Sequence, residues 1–132
     1  MITIRNVLTA AVIMLSSSAQ AEWFELGRTD AIRIYLENKS IQRRGDLSQV
    51  LQMIDFTTAQ WVDTHTVVGS LRQLNEFDCA QGRYRTVVVV AFSEQMGEGK
   101  MLGEEKTPDA PWLAVEPGSA AEQVRKIVCG KK

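Results

Sequence analysis

The sequences TVVGSLRQLNEFD at residues 66–78 and RYRTVVVVAFS at residues 83–93 give the clearest indication of how this chain folds. Both are runs of strand-forming residues, and only a short turn containing Ala80, Gln81 and Gly82 separates them. Two such runs joined by a short glycine-containing connection are typical of a β-hairpin. We therefore predict that these residues form the longest antiparallel hairpin of the protein.

The register of this hairpin has two alternatives. A two-residue turn at residues 80–81 aligns two acidic and basic pairs across the strands, Asp78 with Arg83 and Glu76 with Arg85. Such a turn prefers glycine or asparagine at its centre. A three-residue loop that places Gly82 in the left-handed conformation satisfies this preference but gives up the direct pairs. The sequence leaves both open.

Alternating apolar and polar residues predict further strands. The clearest is IRIYLE at residues 32–37, where Ile32, Ile34 and Leu36 share the buried face. Other strands are expected around Trp23 and at residues 40–43, 47–56, 100–103 and 112–115, with polar loops at residues 57–65 and 104–109. The strand at residues 47–56 has apolar residues on both faces, which favours a central position.

The end of the chain predicts a helix. Ser119 and Glu122 have the spacing of a capping box, and Gly130 is placed where glycine commonly ends a helix. The expected apolar face consists of Ala120, Ala121, Val124, Ile127 and Val128. The fold class is thus α+β: a mainly antiparallel sheet of about six strands with one C-terminal helix packed on it.

The first 21 residues have the pattern of a secretory signal. Arg5 precedes an apolar run at residues 7–15 that only Thr9 interrupts, and Ala19-Gln20-Ala21 resembles a signal-peptidase site. We predict cleavage after Ala21, which leaves residues 22–132 as a single exported domain in the periplasm or at the cell surface. Neither a lipid-attachment cysteine near this site nor a later run of membrane-spanning length is present.

Cys79 and Cys129 both remain after this cleavage. Thiols of an exported protein meet an oxidising compartment, so we predict that they form a disulfide that ties the helix end to the hairpin turn. Closing a loop of 50 residues is worth roughly 4 kcal/mol in the chain-entropy model. A redox or metal pair would need closer spacing than these cysteines have.

Composition and chemistry disfavour nucleic-acid binding and catalysis. Among 132 residues, 15 basic and 16 acidic side chains give a net charge of −1, so a broad basic surface for nucleic acid is missing. His65 is the only histidine, and no nucleophile turn or phosphate-binding loop occurs. We expect no enzyme, no cofactor and no metal site.

Glu76 and Asp78 could resemble the paired carboxylates of a glycosidase. Arg72, Arg83 and Arg85 lie near them in either register, and a carboxylate beside a fixed cation stays ionised. We therefore expect a solvated, salt-bridged sheet edge.

Trp61 and His65 are candidate partner-binding residues, because they stand in the polar segment at residues 57–65. An exposed tryptophan is a natural protein contact, although such a ring more often folds back onto its own domain. Tyr35, Tyr84, Met96 and Met101 could in principle meet a flat apolar ligand such as haem, but core packing explains them more simply. Arg43-Arg44 is expected to border a turn.

Several short motifs occur in an order that resembles the bacterial surface-adhesin protein E family. They are Ser70-Leu71-Arg72-Gln73 before Asp78-Cys79-Ala80, then Met96-Gly97-Glu98-Gly99, Glu116-Pro117-Gly118-Ser119 and Ile127-Val128-Cys129. The resemblance implies one antiparallel sheet with a helix held by Cys79 and Cys129, in a periplasmic or outer-surface protein. It also implies binding of host matrix or serum proteins, and it allows a homodimer that holds haem.

These observations predict an exported, non-enzymatic binding domain that contacts a macromolecular partner, either a host protein or an envelope protein. The alternatives are a periplasmic binder of a small haem-like ligand and an accessory or inhibitor protein of an envelope machine.

Overall fold

The computed structural model describes residues 22–130. The predicted signal segment and its cleavage after Ala21 lie outside these residues. The strands are β1 (Trp23–Arg28), β2 (Ile32–Arg44), β3 (Leu47–Trp61), β4 (Val67–Asp78), β5 (Arg83–Phe92), β6 (Met101–Lys106) and β7 (Leu113–Ala114), and the α-helix is α1 (Ala120–Val128). A short 3-10 turn occupies Gln95–Gly97.

The strands form one antiparallel sheet. Its order is β1-β2-β3-β4-β5-β6, so each strand pairs with its neighbour in sequence, and β7 pairs with the start of β5. The predicted fold class is confirmed, with seven strands in place of about six. β3 and β4 occupy the centre of the sheet, as the apolar residues on both faces of β3 indicated.

The helix begins and ends as its sequence predicts, and Gly130, just past its end, has a φ of 78°. The Ser119 hydroxyl accepts a hydrogen bond from the Glu122 N–H at 3.1 Å, and the Glu122 carboxylate accepts one from the Gly118 N–H at 2.8 Å. Val124 and Val128 are buried. The predicted apolar face is too wide, however, because Ala120 is exposed and Ile127 is 39% exposed.

The core lies between the helix and one face of the sheet. Its buried members are Leu36, Val50, Phe77, Val124, Val128 and Cys129. The predicted disulfide between Cys79 and Cys129 is present and joins the helix end to the β4–β5 turn. The Ser48 hydroxyl and the Arg43 guanidinium donate to the carbonyls of Val128 and Cys129, which would otherwise be unpaired at the helix end.

Several predicted strands have different bounds in the structure. Residues 40–43 are not a separate strand, because β2 runs through a bulge between Glu37 and Gln42. The Ser40 hydroxyl bridges this bulge by donating to the Glu37 carbonyl and accepting from the Leu51 N–H. β6 continues to Lys106 where a polar loop was expected, and β7 contains only Leu113 and Ala114.

The β4–β5 turn combines features of both alternatives. Asp78 pairs with Arg83 and Glu76 pairs with Arg85, as the first alternative requires. Gly82 has a φ of 62°, the left-handed conformation of the second. Both occur because residues 79–82 form a longer turn than either alternative assumed, closed by a hydrogen bond from the Gly82 N–H to the Asp78 carbonyl.

Candidate binding surface

The two central strands extend beyond the rest of the sheet. Pairing between β2 and β3 begins at Ile32 and Phe56, and pairing between β4 and β5 ends at Ser70 and Phe92. Residues 57–69 therefore form a two-stranded projection, here called the arm. The predicted polar loop at residues 57–65 is wrong for its first part, because β3 continues to Trp61, which pairs with Val67.

The end of the arm, residues 61–66, is here called the tip, and it exposes apolar side chains. Trp61 is 68% exposed and Val62 is 62% exposed. Asp63 and Thr64 lie beside them on the same open surface. The Trp61 ring does not fold back onto the domain, although exposed tryptophans in polar segments more often do so.

Local hydrogen bonds fix the shape of the tip. The Val62 N–H donates to the Thr66 carbonyl at 3.0 Å, and the His65 N–H donates to the Asp63 carboxylate at 2.8 Å. The hydrogen bond from the His65 backbone, together with bonds from Thr66, holds the pKa of Asp63 below its usual value. His65 is exposed, and its Nδ1 lies 3.0 Å from the Thr64 hydroxyl. The two candidates Trp61 and His65 thus share one tip.

Residues 93–99 cross the base of the arm, and two buried side chains hold them there. The Ser70 hydroxyl donates to the Glu94 carbonyl at 2.7 Å and accepts from the Gly97 N–H at 2.8 Å. The Asp55 carboxylate, whose residue is 1% exposed, accepts from the Met96 N–H at 2.6 Å. This clasp, defined as residues 93–99 with Asp55 and Ser70, fixes the base of the arm to the sheet.

Gly69 shows how closely the clasp packs. A Cβ atom at this position would lie 2.4 Å from the Glu94 carbonyl carbon and 2.7 Å from its Cα. These are backbone atoms, so no side-chain rotation could relieve the contact. Glycine is therefore required where the arm meets the clasp.

Glu76 and Asp78 do not form the expected solvated edge. β4 is a central strand, and the two residues are only 8% and 7% exposed. Their salt bridges are present: Arg85 lies 2.9 Å from Glu76, and Arg83 lies 2.9 Å from Asp78. Arg72 contacts neither carboxylate and instead lies over the Phe92 ring.

The electrostatics of Asp78 support a structural role for this cluster. Burial alone raises the pKa of Asp78, but hydrogen bonds from the Arg83 guanidinium and from the N–H groups of Gln81 and Ala80 outweigh it and hold the pKa below its usual value. Both guanidinium groups also stack on the Trp112 ring, Arg85 at 4.1 Å and Arg83 at 4.7 Å from its centroid. An ionised, fully paired carboxylate is unsuited to act as a general acid.

The residues considered for haem are not brought together. Tyr84 stacks on Phe77 in the core beneath the helix. Tyr35 alternates with Leu36 and points to the opposite face, while Met101 is exposed on the edge strand β6. Within residues 22–130, no cluster of three histidine, cysteine or acidic side chains could hold a metal ion.

A family model described as surface-adhesin protein E matches residues 23–130, which is nearly all of the structure described above. The chain belongs to the surface-adhesin protein E family. The resemblance in the short motifs is thereby confirmed. No curated protein sequence matches the chain significantly.

Crystal structures of protein E from Haemophilus influenzae have a similar fold. One crystal form has a TM-score of 0.63 at 14% identity and covers 91% of this chain and 96% of that one. A selenomethionine form has a TM-score of 0.62 at 13% identity, with 90% and 94% covered. At this identity the likeness shows a shared fold. No helix among residues 22–130 is long and apolar enough to span a membrane.

Sequence reasoning missed both the arm and the clasp. Gly97-Glu98-Gly99 has the composition of a turn, and nothing in the sequence links these residues to Asp55 or Ser70. A signal for the clasp was present at Gly69, a glycine inside an otherwise strand-forming run, which often marks a close approach of another backbone segment.

Proposed function

We propose that this chain is an exported, non-enzymatic binding domain that contacts a protein partner through the tip of its arm. The observation that carries the proposal is the exposure of Trp61 and Val62, at 68% and 62%, on a projection that hydrogen bonds hold in shape. Membership of a surface-adhesin family supports a binding role over a catalytic one. The partner is a host protein or another protein of the cell envelope.

The tip has the composition of a small contact site. Tryptophan is among the residues that most often dominate the binding energy of an interface, particularly when polar groups surround it and exclude water in the complex. Asp63, Thr64 and His65 supply such a polar rim. Because the tip is already ordered by its own hydrogen bonds, binding would cost little conformational entropy.

The clasp supports the same function from the other end of the arm. A two-stranded ribbon is marginally stable alone in water. The bonds from Ser70, Asp55 and the clasp backbone fix the arm to the seven-stranded sheet, so that the tip is presented at a constant angle.

Binding measurements with matched variants test this proposal. Trp61→Ala removes the exposed ring, and Leu113→Ala removes an apolar side chain that is 54% exposed on β7, away from the arm. The purified exported chain would be tested by biolayer interferometry against immobilised matrix and serum proteins and against envelope proteins of the source cell. We expect Trp61→Ala to weaken binding at least about tenfold, while Leu113→Ala binds as the unmodified chain does. Equal binding by both variants would contradict the role of the tip.

The proposed location needs a separate test. A tagged chain would be produced in the source cells and exposed to protease before and after the outer membrane is opened. Digestion on intact cells would place the domain at the surface and favour a host partner. Protection until the membrane is opened would place it in the periplasm and favour an envelope partner. Protection that persists after the outer membrane is opened, while the inner membrane is intact, would contradict export.

A further inference from the structure

A cleft lies on the face of the sheet opposite the helix, close to the β2–β3 turn. Its volume is about 340 Å³, and the residues that line it are Gln42, Arg43, Arg44, Leu47, Gln49 and Glu76. We call it the polar cleft. Gln49 and Glu76 alternate along their strands with Val50 and Phe77, which face the helix, and neighbouring strand residues point to opposite faces. The polar cleft is therefore separate from the core and from the arm.

The polar cleft has a rigid floor. Gln42 pairs directly with Gln49 across β2 and β3, and Gln49 pairs directly with Glu76 across β3 and β4. The Glu76 carboxylate accepts hydrogen bonds from Arg85 at 3.0 Å and from the Gln49 amide at 3.3 Å. The negative charge of Glu76 is thus paired with the positive charge of Arg85, so this carboxylate would not repel a negatively charged ligand strongly.

Two hydrogen-bonding side chains of the cleft have no partner among the residues that the structure describes. Arg43 is engaged, because its guanidinium donates to the carbonyls of Gly45 and Cys129. Within residues 22–130, the Arg44 guanidinium and the Gln42 amide have no hydrogen-bond or ion-pair partner, and both residues are exposed. In the described part of the chain, one free cation and one free amide therefore face the same small space.

The chemistry of these groups indicates the class of ligand. A guanidinium presents two parallel N–H groups that match a carboxylate. Glutamine amides both donate and accept, as sugar hydroxyl groups do. The volume lies at the lower end of the range for small-ligand sites, about 300–1,000 Å³. Among the described residues that line the cleft, Leu47 has the one apolar side chain. A flat apolar ligand would leave these polar groups unpaired.

We propose that the polar cleft binds a saccharide that carries a carboxylate, with Arg44 holding the carboxylate, and with the amide of Gln42 and the amide oxygen of Gln49 holding hydroxyl groups. This site is additional to the protein contact at the arm tip. The two proposals can be tested separately, because Trp61→Ala changes the arm tip and leaves the polar cleft intact.

A nuclear magnetic resonance titration of the isotopically labelled exported chain tests the site. The probes are a hyaluronan tetrasaccharide, which carries glucuronate, a chitin tetrasaccharide, which has no carboxylate, and inorganic sulfate. We expect hyaluronan to cause saturable shifts of the side-chain amide signals of Gln42 and Gln49, and to bind at least about tenfold more tightly than the other two probes.

Two variants of equal charge provide the control. Arg44→Ala removes the proposed carboxylate ligand, and Lys126→Ala removes an exposed cation from the helix on the other face of the sheet. We expect Arg44→Ala to weaken hyaluronan binding at least about tenfold and Lys126→Ala to leave it unchanged. The proposal is overturned if hyaluronan causes no saturable shifts, if sulfate binds equally well, or if both variants lose binding to the same extent.

Discussion

Gly69→Ala is the substitution that most directly tests how the arm is fixed to the sheet. The new Cβ would lie 2.4 Å and 2.7 Å from two backbone atoms of Glu94 and 2.8 Å from the backbone nitrogen of Gln95. Because backbone cannot rotate away, the clasp must move. Forcing an extra carbon into a packed site costs about 1–3 kcal/mol.

Movement of the clasp would add to this cost. It would stretch the bonds from Ser70 to Glu94 and from Met96 to Asp55, which are 2.7 Å and 2.6 Å long. A typical intramolecular hydrogen bond contributes about 1 kcal/mol. We therefore expect Gly69→Ala to lower the free energy of unfolding by about 2–4 kcal/mol.

Urea denaturation followed by circular dichroism measures this change, and Gly103→Ala is its matched control. Gly103 also lies in a strand, but a Cβ there would have no atom within 4 Å. We expect this control to be neutral or slightly stabilising, by up to about 1 kcal/mol. If Gly69→Ala and Gly103→Ala have the same stability, the clasp does not pack against the arm as described.

Four further predictions concern the remaining features. Reducing the disulfide between Cys79 and Cys129 should lower the free energy of unfolding by about 4 kcal/mol, measured by urea denaturation with and without a reductant; an unchanged midpoint would contradict it. The lowered pKa of Asp78 means that its charge stabilises the fold fully above the unfolded-state value of about 3.8 and less as pH falls through the lower folded-state value. The stability difference between the unmodified chain and Asp78→Asn should therefore shrink below about pH 4, and a difference independent of pH would refute this reasoning. Ser119→Ala should cost about 1 kcal/mol through loss of the helix cap, seen as a lower melting temperature, whereas no change would show that the cap is dispensable. Trp61→Ala should change stability by less than about 0.5 kcal/mol because the ring is exposed; a larger loss in urea denaturation would show that the ring packs on the domain.

The sequence predicted the sheet wherever one face of a strand is buried. Residues 32–37 alternate because Leu36 faces the core, and the helix could be predicted from its caps and apolar stripe. The continuity of β2 could not be predicted, since Asn38-Lys39 has the composition of a turn. In the structure these residues belong to a bulge that the Ser40 hydroxyl bridges.

The arm escaped prediction for a related reason. Residues 57–61 extend past the ends of the neighbouring strands. Neither face of this segment is buried, so nothing requires apolar and polar residues to alternate along it. The sequence TTAQW consequently resembles a loop. The burial of Glu76 and Asp78 was also missed. It depends on the neighbouring strands and on Trp112, which cover these residues, and the sequence of β4 alone does not report such contacts.

The candidate site was predicted in part. Trp61 and His65 were identified because they interrupt a polar segment, and the structure places both at one tip. The clasp joins residues more than 20 positions apart, such as Ser70 and Glu94, and no local pattern reports such a contact.

Photocrosslinking from the tip tests the proposed function most directly. A photoreactive residue would replace Val62 at the tip and, in a second variant, Leu113 on β7; both positions are exposed. Each variant would be irradiated with the matrix, serum or envelope protein that binds the unmodified chain. We predict a covalent adduct from position 62 and none from position 113. An adduct from position 113 alone, or none from position 62 while binding persists, would contradict the assignment of the arm tip as the contact surface.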